Sequence, residues 1–177
     1  MVIMGVDPGL NATGYGVLET GARLRFLAAG EICPSRTLPL EQRLGMIRDG
    51  LAVLMGRHHP DAVVLEKLFT HHEHVTTAAL MGHARGAACL AVRDQGVPLA
   101  EYPRTQVKKA ITGRGHASKD QVGRMVSTWL GIPNPGWSAD AADALALAIV
   151  HAHTASQNHR LAAVASDSLL RSRTRHG

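Results

Sequence analysis

At 177 residues and 45% hydrophobic composition the chain has the size and apolar content of one domain with a full core, and 19% charged residues exclude disorder along most of it. The net charge is +5, and it is concentrated: residues 104–124 hold Arg104, Lys108, Lys109, Arg114, Lys119 and Arg124 against Asp120 alone, and residues 157–177 hold four arginines against Asp167. A localised basic patch points to a polyanion partner such as nucleic acid, with a solvated surface as the alternative reading of the charge alone.

MVIMGVD (1–7) is an apolar run closed by Asp-Pro-Gly, which is turn chemistry, and GYGVLET (14–20) and LRFLAAGEIC (24–33) follow at short range, so the first three elements form an antiparallel meander. Leu40, Leu44, Ile47, Leu51 and Leu54 recur at helical spacing and predict a helix from Pro39 to about Arg57. DAVVLEKLF (61–69) is a buried strand, THHEH (70–74) a polar loop, and 75–95 a long helix whose apolar and small residues run almost all the way round, so it is expected to be buried on more than one side. A strand at 97–103 and a short helix at 104–112 come next, then a GRGHA loop and a helix that Ser118 can cap, running to about Leu130. PNPGWS (133–138) breaks the chain before a strongly apolar final helix, 139–155. The order is βββαβαβααα, one domain over 1–155 followed by a mobile basic tail at 156–177.

Four acidic residues sit where a core needs none. Asp7 ends the first strand, Glu66 follows Ala-Val-Val-Leu, and Asp140 and Asp143 punctuate an Ala/Leu-rich helix at i, i+3 spacing, which puts both on one face. Buried carboxylates need cations, either Arg/Lys or metal. The final helix carries no basic residue near Asp140 or Asp143, and Lys67 points to the strand face opposite Glu66. If the three elements converge, two divalent cations neutralise the four carboxylates, and oxygen-only ligands suit Mg²⁺ or Mn²⁺. Two such ions form the clamp used for in-line attack on a phosphodiester. Taken singly, each acid is equally a cap or turn residue, and Asp140 suits a helix start.

Other polar features carry less. GYG lacks the spacing of a Walker loop or dinucleotide fingerprint, although Asp7, Gly9 and Thr13-Gly14 have the look of the first phosphate loop of actin-like sugar kinases. His71, His72 and His74 lie in a polar loop with no Cys partner, and His151 and His153 diverge on a helix. Cys33 and Cys89 form no CxxC pair, MVIMGVDPG lacks the basic start of a secretory signal, and no apolar run is long enough to span a bilayer; a cytoplasmic protein is expected.

MGVDPGLNATGYGVLE, VVLEKLF, GHARGAA, QVKKAITGRGHASKDQV and SADAADALALAIVHAH together resemble the RuvC family of crossover-junction endodeoxyribonucleases, from Met1 to about His153. The resemblance implies a ribonuclease-H-like α/β fold, a mixed five-stranded sheet with β1–β3 antiparallel, flanked by helices. It implies metal-dependent resolution of Holliday junctions by a homodimer, with 5′-phosphate and 3′-hydroxyl ends and the RuvA–RuvB branch-migration complex as a partner. Asp7, Glu66, Asp140 and Asp143 match the family's catalytic, metal-binding carboxylates. Lys108 and Lys119 match basic residues that contact DNA near the cut, and Lys119 also steadies charge at the scissile phosphate. Phe69 matches an aromatic that stacks on an unpaired base. Arg104 and Arg114, from the same basic segment, are expected on the DNA face. Helix 75–95, with Ala78, Ala79, Gly82, Gly86 and Ala87, is the expected dimer interface. The chain departs from the family after His153 and in loop 70–77. An actin-like phosphotransferase would need a second half that 177 residues do not supply, and an architectural junction-binding protein would need the basic patch without the carboxylates.

Overall fold

The structure is a computed structural model that describes residues 1–67, 75–133 and 135–173, with side chains described outside 75–77 and 159–173. Its elements are β1 (Val2–Asp7), β2 (Thr13–Glu19), β3 (Arg25–Ile32), α1 (Leu40–His58), β4 (Ala62–Lys67), α2 (Val75–Asp94), β5 (Leu99–Pro103), α3 (Arg104–Thr112), α4 (Lys119–Leu130) and α5 (Ala139–Arg173). The five strands form one mixed sheet in the order β3-β2-β1-β4-β5. β1–β2 and β2–β3 pair antiparallel, while β1–β4 and β4–β5 pair parallel. The predicted element order and sheet type are therefore those observed.

Strand alternation sorts the core into two layers. Met4, Val6, Val17, Val63 and Leu65 face α1 and α2, where Ile47, Leu51, Leu54, Ala84, Ala88 and Val92 cover them. Ile3, Leu18 and Val64 face the other way, onto Val107, Ile111, Val122, Val126, Leu145 and Ile149 of α3–α5. Period two then places Asp7 with Ile3 and Glu66 with Val64, both on the α5 side.

That side of β1–β2 has a floor of glycine. Gly5 pairs with Gly16 and Asp7 with Gly14. A Cβ on Gly5 would enter the Ala144 carbonyl of α5, one on Gly14 the Asp140 carbonyl, and one on Gly16 would lie 2.5 Å from Leu145 Cγ. The α5 backbone thus rests directly on the sheet, at a depth no side chain permits. Gly5→Ala must push α5 away and is expected to cost about 1–3 kcal/mol and most of the activity. Gly45→Ala in α1, where nothing lies within 4 Å, is expected to gain about 1 kcal/mol. Thermal melting of both variants checks the pair; equal effects would remove the close-approach argument.

α5 is longer than predicted. The sequence reading ends it near Ala155, whereas it continues to Arg173. The cause is legible in retrospect: between Gly136 and Gly177 the chain has no Gly or Pro, and Ala, Leu and Arg favour continuation. α2 buries Ala84, Ala87, Ala88, Ala91 and Val92 but leaves Leu80, Met81 and Leu90 exposed, so its second apolar face is uncovered in the single chain. Among the described residues no helix is long and apolar enough to cross a membrane.

Candidate active site

Three helices begin at the carboxyl ends of the parallel strands. α3 follows β5 at once, with Pro103 as its N-cap, and Gly113 ends it in the left-handed conformation. α4 begins with a full capping box, in which the Ser118 side chain accepts from Gln121 N and Gln121 Oε1 accepts from Ser118 N. Ser118 thus caps α4 as expected. Ser138, read only as part of a break, is a second cap: its hydroxyl accepts from Ala141 N at 3.2 Å. Trp137 stacks on Phe26 of β3 with ring centroids 5.2 Å apart, which anchors the approach to α5.

Asp140 and Asp143 therefore hang from the first turns of α5, directly over the end of β1. One carboxylate oxygen from each of Asp7, Asp140 and Asp143 lies within 4.8 Å of the other two. Side-chain exposure falls from 34% at Asp140 to 15% at Asp143, so the cluster is open to solvent on the Asp140 side. Glu66 stands beside this triad rather than within it. Its Oε2 is 3.9 Å from Arg104 Nε, and Arg104 Nη2 is 3.7 Å from Asp143 Oδ2. Lys119 Nζ donates to Asp140 Oδ1 at 3.1 Å and lies 3.4 Å from Asp143 Oδ2.

The charges are unbalanced. Among the described residues the four carboxylates form ion pairs with two cations, Arg104 and Lys119, and Asp7 has none. Burial, then the charges of Asp143, Glu66 and Asp140, push the Asp7 carboxyl up from 3.8 to about 7. Burial raises Glu66 as well, against the pull of Arg104. Burial works against the Lys119 ammonium, but its hydrogen bond to Asp140 and the charge of Asp143 outweigh that, and its pKa stands above the ordinary lysine value. Asp143 Oδ2 is buried without a hydrogen-bond partner. An anionic, all-oxygen donor set whose buried Asp143 Oδ2 has only long ion-pair contacts fits a hard divalent cation such as Mg²⁺ or Mn²⁺.

Sequence reasoning assigned Arg104 and Lys119 to DNA but missed their pairing with the carboxylates, because it searched for partners along each element. Arg104 and Lys119 come from neighbouring helices, and each is the first residue of its helix. A cation there opposes the helix dipole at a cost of about 0.3–1 kcal/mol, so a basic residue directly after a cap was the available signal. Arg43 was also missed. Its Nη2 donates to Leu10 O at 3.0 Å and Asn11 Oδ1 at 2.9 Å, which ties the loop after Asp7 to α1. Lys108 Nζ donates to Ala117 O at 2.5 Å and is near enough to Glu66 to lower its pKa. Arg114 is exposed on the turn between α3 and α4. Phe69 and the histidines of the 70–74 loop lie outside the described residues.

A ribonuclease-H-like sheet with an acidic, cation-competent centre beyond its parallel strands defines the class of protein. The family described as crossover junction endodeoxyribonuclease RuvC matches residues 3–151. The crossover junction endodeoxyribonuclease RuvC of Halorhodospira halophila is 46% identical over 151 residues, covering 85% of this chain and 89% of that protein. Its counterpart in Bradyrhizobium diazoefficiens is 47% identical over 152 residues, covering 85% and 86%. Among solved structures, Thermus thermophilus RuvC in complex with Holliday junction substrate superposes with a TM-score of 0.81 at 36% identity, over 89% of this chain and 96% of that one. The chain belongs to the RuvC family.

Proposed function

We infer that the chain is a crossover junction endodeoxyribonuclease that resolves four-way DNA junctions by paired, symmetric, metal-dependent nicks in recombination and repair. The observation that carries this reading is the convergence of Asp7, Asp140 and Asp143 in a RuvC-family chain. Asp7, Glu66, Asp140 and Asp143 are the proposed ligands of two Mg²⁺ or Mn²⁺ ions. Bound there, the cations supply Lewis-acid polarisation of the phosphate and a water of lowered pKa.

The chain's own groups do the rest. Arg104 holds Glu66 and Asp143 in place and shields their mutual repulsion. Lys119, and Lys108 beside it, offset negative charge that builds on the scissile phosphate. The N-termini of α3, α4 and α5 add partial positive charge on the same side. Cleavage breaks the P–O3′ bond, water supplying the oxygen added to phosphorus, and leaves a 5′-phosphate and a 3′-hydroxyl. Phe69, two residues past β4 in sequence, is proposed to stack on an unpaired base, and Arg104 and Arg114 to face DNA.

Two symmetric cuts in a two-fold junction call for a C₂ dimer. The exposed Leu80, Met81 and Leu90 of α2, with Gly82 and Gly86 between them, support that helix as the interface. The catalytic domain is proposed to span 1–155, in a cytoplasmic protein that works with the RuvA–RuvB complex. The test is incubation of a synthetic four-way junction with Mg²⁺ or Mn²⁺, beside linear duplex and an EDTA control. Ligatable paired nicks confined to the junction are expected. Tight junction binding without cutting in either metal would replace the nuclease with an architectural protein.

A further inference from the structure

α3 and α4 flank a groove of about 330 Å³ lined by Thr112, Arg114, Ala117, Gln121, Arg124 and Met125. Its two arginines differ from those of the carboxylate site. Arg104 is spent on Glu66 and Asp143, whereas neither Arg114 nor Arg124 has an ion-pair partner among the described residues.

The groove is held in shape. Gly113 closes α3 with φ 76°, and the Thr112 hydroxyl, donating to Lys108 O at 2.8 Å, accepts from Arg114 N at 3.2 Å, so Arg114 leaves a fixed turn. Gln121 uses its Oε1 in the capping box, which leaves its amide N–H groups as donors on the groove wall. The only acidic residue of α4 is Asp120.

The groove is tied to the site through Ala117. Lys108 donates to Ala117 O, so the wall of the groove is the residue that steadies a cation beside Glu66. Lys119 of the site and Arg124 of the groove are both carried by α4, on different faces of it.

We propose that the Arg114–Arg124 groove binds a backbone phosphate of the junction DNA outside the carboxylate site, and so helps to fix the register of the strand that enters it. The ligand is a DNA phosphodiester, read by charge and hydrogen bonding without base selectivity. This rests on the junction-cutting reading above.

The test measures junction affinity against salt in an Asp7→Asn background, which keeps the DNA intact. Adding Arg124→Ala is expected to reduce the slope of log K against log salt by about 1, and Arg114→Ala with Arg124→Ala by about 2. Arg124→Gln, which keeps chain length and helix propensity, should repeat the single loss. Arg57→Ala, an exposed arginine on α1 outside the site, should leave the slope unchanged. A slope unaltered by Arg124→Ala and Arg124→Gln while the Asp7→Asn protein binds the junction overturns the groove alone. An Asp7→Asn protein that does not bind junctions overturns the junction reading and the groove with it.

Discussion

Asp7→Asn is expected to abolish nicking, preserve junction binding, and raise the melting temperature of the metal-free protein at pH 8. The last effect follows from the direction of the Asp7 shift. The folded carboxyl holds its proton more tightly than the unfolded one, so its contribution to stability is fully present below about pH 4 and is lost as the pH rises through about 7. At pH 8 the metal-free wild type carries Asp7 ionised against Asp143, Glu66 and Asp140, and the amide removes that charge. The rise from 3.8 to about 7 caps the gain at about 4 kcal/mol. Solvent access on the Asp140 side lowers it to about 1–3 kcal/mol, and each kcal/mol moves the melting point by about 2–4 °C in a chain of this size. Melting in EDTA at pH 4 and pH 8 gives the check, because the difference between variant and wild type should open only at the higher pH. A destabilised variant at pH 8 would make Asp7 a structural residue.

Lys119→Met is expected to slow junction nicking by about 10²–10³-fold while tightening the binding of Mn²⁺ in the absence of DNA. Both effects come from one geometry. Lys119 Nζ sits 3.1 Å from Asp140 Oδ1 and 3.4 Å from Asp143 Oδ2, the oxygens a cation would take. In the free protein the ammonium is therefore a competitor of the metal. In the proposed DNA complex the same ammonium would face the phosphate, and its loss would leave charge there uncompensated. Calorimetric Mn²⁺ titration and single-turnover nicking separate the two. Weaker Mn²⁺ binding in the variant would mean that the lysine organises the carboxylates instead of competing for them.

Much of the fold was legible because its signals are local. The apolar runs of β1 and β4, the Leu/Ile spacing of α1 and Ser118 before α4 each stand within a few residues of one another. The four carboxylates were legible as misfits, since an acid after Ala-Val-Val-Leu has no cheap structural role. What escaped lies between elements. Arg104 reaching Glu66 and Asp143, Arg43 holding the loop after Asp7, and the fit of Gly5 and Gly14 against α5 depend on which helix crosses which strand. No period within a single element encodes that. The end of α5 escaped for another reason: composition marked 156–177 as a tail, but no breaker stands there to end the helix.

The glycine floor under α5 has a mechanical consequence. Where a helix rides on side chains, its height above a sheet follows their rotamers and drifts as they loosen with heat. Here the Ala144 and Asp140 carbonyls meet sheet backbone at Gly5 and Gly14 with nothing in between. The separation between Asp7 and the α5 carboxylates is then set by rigid peptide planes, which do not soften as rotamers do. The carboxylate spacing is insulated from disorder in the core on either side, and it is expected to hold until the sheet itself comes apart.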